Sequence, residues 1–365
     1  MKKIIILIDQ LHSHGGIEKL VAEKANYWSG VFGYEVKIIS TEQGNNPFVY
    51  ELSEQVKFQD LGIDYYRGIS FFHPKNLGKL FKNFLQIKKI IKTENPDFIL
   101  VASHIPMTYL LPYLKTNAKI IKEFHFSKFN QPQNFKEKLF NSIEGKYDYL
   151  VVLNQEEAGF YESNNTVVIP NPVQLPDFRI HKISERENVA AAVLRFAPVK
   201  QLEKMVTIWE RFSKNQSDWK LYLYGAKEGD YFEKIQKLVA DKNLENSILF
   251  KGKTNDVASE LNNAKLLLMT SEQECFPMVI LEAHACGVPV VAFDAPTGPR
   301  NIIHHTKDGV LIGYDDEIEF IEILEDLALN QEKIQFLSDG ALQNAKNYEH
   351  HQVMNLWKSL IFENS

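Results

Sequence analysis

Cysteine is nearly absent. The 365-residue chain has two, Cys275 and Cys286, both in one C-terminal segment. That excludes a disulfide framework and a four-cysteine zinc site, and it suits a reducing compartment. Long apolar runs are also missing. Runs such as Ile4 to Ile8, Leu150 to Leu153, Leu266 to Met269 and Val288 to Phe293 fall far short of the roughly 20 residues of a membrane span. Lys2 and Lys3 before Ile4–Ile8 resemble the start of a signal peptide, but Asp9 ends the run below the roughly 7–15 residues of an h-region. A first core strand is the better reading. Charge of one sign is weak, with a net charge of -6 and a pI near 6.0. Bulk charge therefore gives no sign of nucleic-acid binding. The G-x-G-x-x-G dinucleotide fingerprint is missing after the first strand, which disfavours a dehydrogenase.

What remains is an ordinary globular composition, 44% hydrophobic and 24% charged, with room for about two domains. Short β-branched runs alternate with helical stretches. Strands are predicted at 3–9, 35–40, 98–102, 119–122, 149–153 and 167–169. A second series is predicted at 189–194, 220–224, 248–251, 266–269, 288–293 and 310–312. Most are solidly apolar, as parallel strands buried on both faces are. The fold class is α/β, with two doubly wound Rossmann-like domains. The segment Ile169-Pro170-Asn171-Pro172-Val173-Gln174-Leu175-Pro176 marks a stiff boundary, because three prolines cannot continue a helix or a central strand. Domains are assigned to 1–173 and 174–349. The first half is slightly basic and the second carries the acidic excess. The acids from Asp315 to Asp326 read as a solvated helix face.

The informative stretch is Ser271 to Ala292, which reads strand, loop, helix, turn, strand. Pro277 suits the first turn of a helix over about 277–286, and Gly287 suits its left-handed exit. Such a junction lies at the carboxyl end of a parallel strand, where open α/β sheets bind ligands. The free amides of Phe276, Met278 and Val279 can hold a phosphate. Glu274 and Glu282 would repel that phosphate unless they serve hydroxyls. A nucleotide sugar satisfies both demands.

Glu274 and Glu282, embedded in E-C-F-P-M-V-I-L-E-A and followed by G-V-P-V-V-A, resemble the E-x7-E signature of retaining glycosyltransferase family 4, of the GT-B fold. Pro296 to Ile303 resembles a T-G-P-x-E-I-I stretch found in members acting on bacterial polysaccharides, with Asn301 where a Glu is common. Arg195 and Lys200 resemble the cations of G-R-L-x-x-x-K-G, with Leu194 and Gln201 in place of the two glycines. His14-Gly15-Gly16-Ile17-Glu18 is similar to the family's N-terminal G-G-x-E loop.

The resemblance implies roles. Glu274 binds the transferred sugar and Glu282 the ribose. Gly15, Gly16 and the 276–279 amides, from Phe276 past Pro277 to Met278 and Val279, approach the donor. Arg195 and Lys200 stabilise the departing diphosphate. The family often has a His near the reacting sugar at the position of His125, although a lone histidine also has a purely structural reading; His104 has a weaker claim. The chain has no Asp-x-Asp, which metal-dependent sugar transferases of the other main fold commonly use, so no metal or other cofactor is expected. The fold also implies two domains facing across a cleft, an acceptor-binding first domain and a donor-binding second. Its last helix, about 350–365, would cross back to the first domain.

The implied reaction moves a sugar from a nucleotide diphosphate, UDP above others, to a glycan or lipid-linked acceptor in capsule, O-antigen or lipopolysaccharide synthesis. A nucleotide-sugar epimerase and a non-catalytic nucleotide-sugar or glycan-binding protein are the alternatives. One further segment, residues 75–92, has six lysines, no acid, and Leu77, Leu80, Phe81, Phe84 and Ile91 at helical spacing. It reads either as a sheet-packed helix with solvated lysines or as a helix resting on anionic lipid. The second reading places a cytoplasmic protein at the inner face of the cell membrane. No nucleic-acid partner is expected.

Overall fold

The computed structural model describes residues 1–129, 135–254 and 256–362. The chain forms two compact units. The first is Met1–Ile169 with the segment from Met354 on, and the second is Pro170–Val353. The break thus falls just before Pro170. Val173 belongs to the second unit because its amide donates to the Tyr348 carbonyl at 2.8 Å.

In chain order the first unit runs β1 (Lys3–Leu7), α1 (Gly16–Gly30), β2 (Glu35–Ser40), β3 (Lys57–Asp60), α2 (Pro74–Glu94), β4 (Phe98–Val101), β5 (Lys119–Glu123), α3 (Phe135–Glu144), β6 (Tyr149–Val152), α4 (Gln155–Ala158) and β7 (Thr166–Val168). The second runs β8 (Val189–Val193), α5 (Leu202–Asn215), β9 (Lys220–Tyr224), α6 (Asp230–Asp241), β10 (Ile248–Gly252), α7 (Val257–Leu261), β11 (Leu266–Met269), α8 (Met278–Ala285), β12 (Val290–Phe293), β13 (Gly309–Ile312), α9 (Glu317–Leu329) and α10 (Gln331–Ala345). Helix α11 (His350–Phe362) follows, and its part from Met354 belongs to the first unit.

Every named strand pair is parallel. The first sheet has the order β3-β2-β1-β4-β5-β6-β7 and the second β10-β9-β8-β11-β12-β13. Both reverse direction at one place, between β1 and β4 and between β8 and β11. Parallel strands must be covered on both faces, which is why β4 (Phe-Ile-Leu-Val) and β11 (Leu-Leu-Leu-Met) are buried throughout.

Three sequence expectations need correction. Strand β3, Lys-Phe-Gln-Asp, has no apolar run; it is a short edge strand with an exposed first residue, so the search for buried runs passes over it. The strand expected from Val288 begins at Val290. Helix α2 packs through only part of the expected stripe: Ile91 is buried and Leu80 and Phe84 lie against the core. Its buried residues are Asn76, Asn83, Ile87 and Ile91, while Leu77 and Phe81 are 48% and 64% exposed. The asparagines can be buried because they are bonded. Asn76 Nδ2 donates to the carbonyls of Tyr66 and Ser70, and Asn83 Nδ2 donates to the Tyr65 hydroxyl at 2.9 Å.

A charged cluster lies inside the first core. Lys24 of α1 pairs with Glu123 of β5, with side chains 1% and 2% exposed. Trp357 of α11 covers the ammonium at 4.6 Å and packs edge-on against Trp28. Burial opposes the charged carboxylate, but Lys24 and His125 outweigh it and hold the Glu123 carboxyl at about 2. Its folded value lies below that of an unfolded glutamate, so its stabilising contribution is present above about pH 4.3 and is lost as pH falls toward 2. Glu123→Ala is expected to cost about 3–5 kcal/mol by leaving Lys24 buried without its partner, and Lys24→Met/Glu123→Leu far less. Urea unfolding of both variants checks this; equal losses would show that the pair is not the source of the stability.

Candidate active site

The carboxyl ends of the two pairs of strands at the reversals carry several of the predicted residues. Gly15 and Gly16 follow β1, Arg195 and Lys200 follow β8, and Glu274 follows β11. Loops after neighbouring strands diverge at such a point and leave a crevice.

In the second unit the crevice is bridged. The Thr270 hydroxyl donates to the Lys200 carbonyl at 3.0 Å, and the Glu272 amide donates to the Val199 carbonyl at 2.8 Å. These bonds seat the 3-10 turn Pro198–Lys200 against the loop after β11. The Lys200 ammonium then meets Glu274 Oε1 at 2.5 Å, with side chains 23% and 13% exposed. The Glu274 backbone is fixed on its other side. Its amide donates to the Pro296 carbonyl at 2.9 Å, and its carbonyl accepts from Thr297 and Gly298 at 2.6 and 2.8 Å. Gly298 is required there, because an added Cβ would lie 2.5 Å from Pro277 Cδ and 3.0 Å from the Cys275 carbonyl oxygen.

Pro277 is the N-cap of α8, one residue earlier than the expected first-turn position, and α8 runs Met278–Ala285 rather than 277–286. The reason is its extended ψ of 110°, so helical geometry begins only at Met278. No side chain caps this end, and the first turn holds no acid. The amides of Met278 and Val279 lack intrahelical acceptors and suit an anion. Phe276 is buried against Tyr348, with ring centroids 5.9 Å apart. Glu282 sits half-buried on the second turn of α8. Arg195 is exposed and has no ion-pair partner among the described residues.

The two departures from the family's glycines behave differently. Leu194 prolongs the sheet, its amide donating to the Tyr224 carbonyl at 3.0 Å, and needs no special backbone. Gln201 has φ +47° and ψ +47°, the left-handed region that glycine adopts at low cost.

In the first unit Gly15 is the N-cap of α1, and a Cβ there would collide with the Glu18 carboxylate at 2.0 Å. Glu18 accepts from Gln10 Nε2 at 2.5 Å. Gly16 faces open space, so its backbone can be approached closely. His125 lies two residues beyond β5, its side chain 5% exposed and Nε2 3.4 Å from Glu123 Oε2. Sequence reasoning missed Glu123 and Lys24. The signal lies in Ile-Ile-Lys-Glu-Phe-His-Phe, where Lys122, Glu123 and His125 interrupt an otherwise apolar run. The predicted residues thus divide between the units: Gly15, Gly16 and His125 in the first, the remainder in the second.

Gln201→Gly is expected to raise stability by about 0.5–1 kcal/mol by relieving the left-handed turn. Thermal or urea unfolding measures it; a loss of stability would mean that the glutamine side chain, and not the backbone, decides at this position.

Residues 174–348 match the family model of glycosyl transferases group 1, and residues 14–175 match that of glycosyltransferase family 4. An uncharacterized glycosyltransferase of Haemophilus influenzae is 26% identical over 374 residues, which cover 99% of this chain and 100% of that protein. A Campylobacter jejuni α-1,4-N-acetyl-D-galactosaminyltransferase, named for an undecaprenol-linked acceptor, is 27% identical over 372 residues, covering 100% and 99%. In fold, the chain is similar to Anabaena HepE solved with UDP and glucose, with a TM-score of 0.78 at 17% identity over 99% of each chain. With both halves matched and both sheets doubly wound, the chain belongs to the group 1 and family 4 glycosyltransferases of the GT-B fold.

Proposed function

We propose that this glycosyltransferase moves a sugar from a UDP-sugar to a hydroxyl of a glycan or lipid-linked oligosaccharide, with retention of configuration, in bacterial surface-glycan synthesis. The observation that carries this reading is the Lys200–Glu274 pair set beside the uncapped start of α8. It offers a cation and free amides for a diphosphate next to a carboxylate for sugar hydroxyls. The Campylobacter relative, named for an undecaprenol-linked acceptor, and the Anabaena structure with UDP and glucose support this choice of acceptor and donor class.

In this reading the second unit binds the donor and the first the acceptor. Glu282 takes the ribose hydroxyls, and by family resemblance Gly15, Gly16 and His125 also serve the donor. The bond from the anomeric carbon to the diphosphate oxygen breaks, and the acceptor oxygen bonds to that carbon on the same face. The acceptor's proton passes to the departing phosphate oxygen. Arg195, Lys200 and the α8 amides stabilise the charge that develops there, without a metal ion.

Glu274→Ala and Lys200→Ala are each expected to lower turnover about 10²-fold or more while the protein stays folded. Near-normal turnover in both would sink the assignment. Calorimetric titration in EDTA is expected to show saturable UDP binding and none for NAD. Isomerised donor formed without acceptor would instead indicate an epimerase, and binding without turnover a sugar-binding module. The anomeric proton coupling of the product reports retention directly.

We also assign α2 to an anionic membrane surface, the inner face of the cell membrane. No described helix is long and apolar enough to cross one. Leu77, Phe81 and Leu85 form an exposed line, with Lys75, Lys82, Lys88, Lys89 and Lys92 exposed around it. Leu77→Ser/Phe81→Ser is expected to reduce co-sedimentation with phosphatidylglycerol vesicles at least about fivefold; unchanged sedimentation would remove α2 from the membrane.

A further inference from the structure

The first unit contains a cavity of about 420 Å³ at the carboxyl ends of β4 and β5, within the size range of small-ligand sites. Its aromatic walls come from four places. Phe71 and Phe72 precede α2, Tyr109 lies in the 3-10 turn after β4, Phe124 and Phe126 follow β5, and Phe140 projects from α3. The rings brace one another: Tyr109 and Phe140 are 4.4 Å apart between centroids, and His104 and Phe126 5.3 Å. Phe72 and Phe126 nevertheless remain 51% and 62% exposed. Aromatic rings held at a cavity rim offer flat apolar faces to a ligand with both C–H and O–H groups.

The polar part of the lining carries no net charge. Lys128 is paired with Glu144 and also donates to Asn141 Oδ1 at 2.8 Å, and the Tyr109 hydroxyl donates to Glu144 Oε1 at 3.2 Å. His104 is kept neutral by burial and by Lys122 nearby. Its Nε2 has no hydrogen-bond partner among the described residues. Lys122 lies behind the Tyr109 and Phe124 rings and donates to the Ser103 carbonyl; it does not line the cavity. A phosphate or carboxylate would find no uncompensated cation here. A hydrocarbon chain would leave His104, Ser70 and the ion pair facing an apolar ligand, which is costly.

We infer that this cavity binds an uncharged pyranose unit of the acceptor, its C–H face against Phe72 and Phe126 and its hydroxyls toward His104 and the Lys128–Glu144 pair. This rests on the glycosyltransferase reading and specifies its acceptor as a neutral sugar rather than a polyol phosphate.

Saturation-transfer NMR on the full chain tests it. The probes are methyl β-D-galactoside, methyl α-D-glucoside and methyl N-acetyl-α-D-galactosaminide, with sn-glycerol 3-phosphate for comparison. At least one glycoside is expected to give ring-proton transfer stronger than glycerol phosphate. Phe72→Ala/Phe126→Ala, which alters two exposed rings, is expected to reduce it at least about fivefold. His104→Gln should reduce it too, while Leu77→Ser/Phe81→Ser on α2 should not. Transfer that persists in the Phe72→Ala/Phe126→Ala protein, absence of transfer from all three glycosides, or stronger transfer from glycerol phosphate would overturn the inference. UDP titration of the same samples reads the donor site separately: its failure would remove the donor assignment, and glycoside transfer sensitive to Phe126 would still place a sugar in this cavity.

Discussion

The placing of Lys200 and Glu274 depends on one constraint of parallel sheets. A sheet wound outward in both directions from a central strand must, at one place, send its connections to opposite faces. In the second unit that place lies between β8 and β11, paired through Leu266 with Ala190 and Leu267 with Ala191. The loops that leave these strands cannot pack on each other as ordinary neighbours do. Thr270 and Glu272 close part of the gap with hydrogen bonds to the 198–201 turn, and what remains is lined by Lys200, Glu274 and the start of α8. The candidate site is thus the part of the second unit's fold that the winding leaves unfilled.

Much of this was legible before any coordinates. Buried parallel strands such as Phe98–Val101 and Leu266–Met269 have apolar runs that few other structures need. The residues from Glu274 to Glu282 were legible because a loop, a proline and a buried helix must succeed one another in a fixed order to present amides at a strand end. The misses have equally definite causes. The edge strand Lys57–Asp60 contributes little to the core, so burial leaves no mark on its sequence. Part of the α2 face is hidden from the sequence because two buried asparagines, bonded through their amide nitrogens, look polar, and the exposed Leu77 and Phe81 look buried. The Lys24–Glu123 pair depends on two residues 99 positions apart, and periodicity within one element carries no information about a partner on another.

The first unit places charge in its interior to an unusual degree. Lys24 and Glu123 neutralise each other, but Lys122, one residue away and on the opposite face of the strand, has no carboxylate bonded to it among the described residues and donates to the Ser103 carbonyl and the Thr108 hydroxyl. Burial brings its ammonium down to about 7. One strand therefore carries a compensated charge toward α1 and α11 and a marginal one toward the aromatic cavity, so its two faces differ in field as well as in packing.

The junction at Gly298 has a consequence for variation. Glu274 is located by main-chain bonds to Pro296, Thr297 and Gly298, with Gly298 pressed against the backbone of residue 275 and the ring of Pro277. None of these contacts uses the side chain of residue 275. The side chain at position 275 can therefore vary, a cysteine here, while the backbone of the carboxylate beside it stays in place. Such an arrangement separates the position of a carboxylate from the identity of its neighbour in sequence, so that one can change without moving the other.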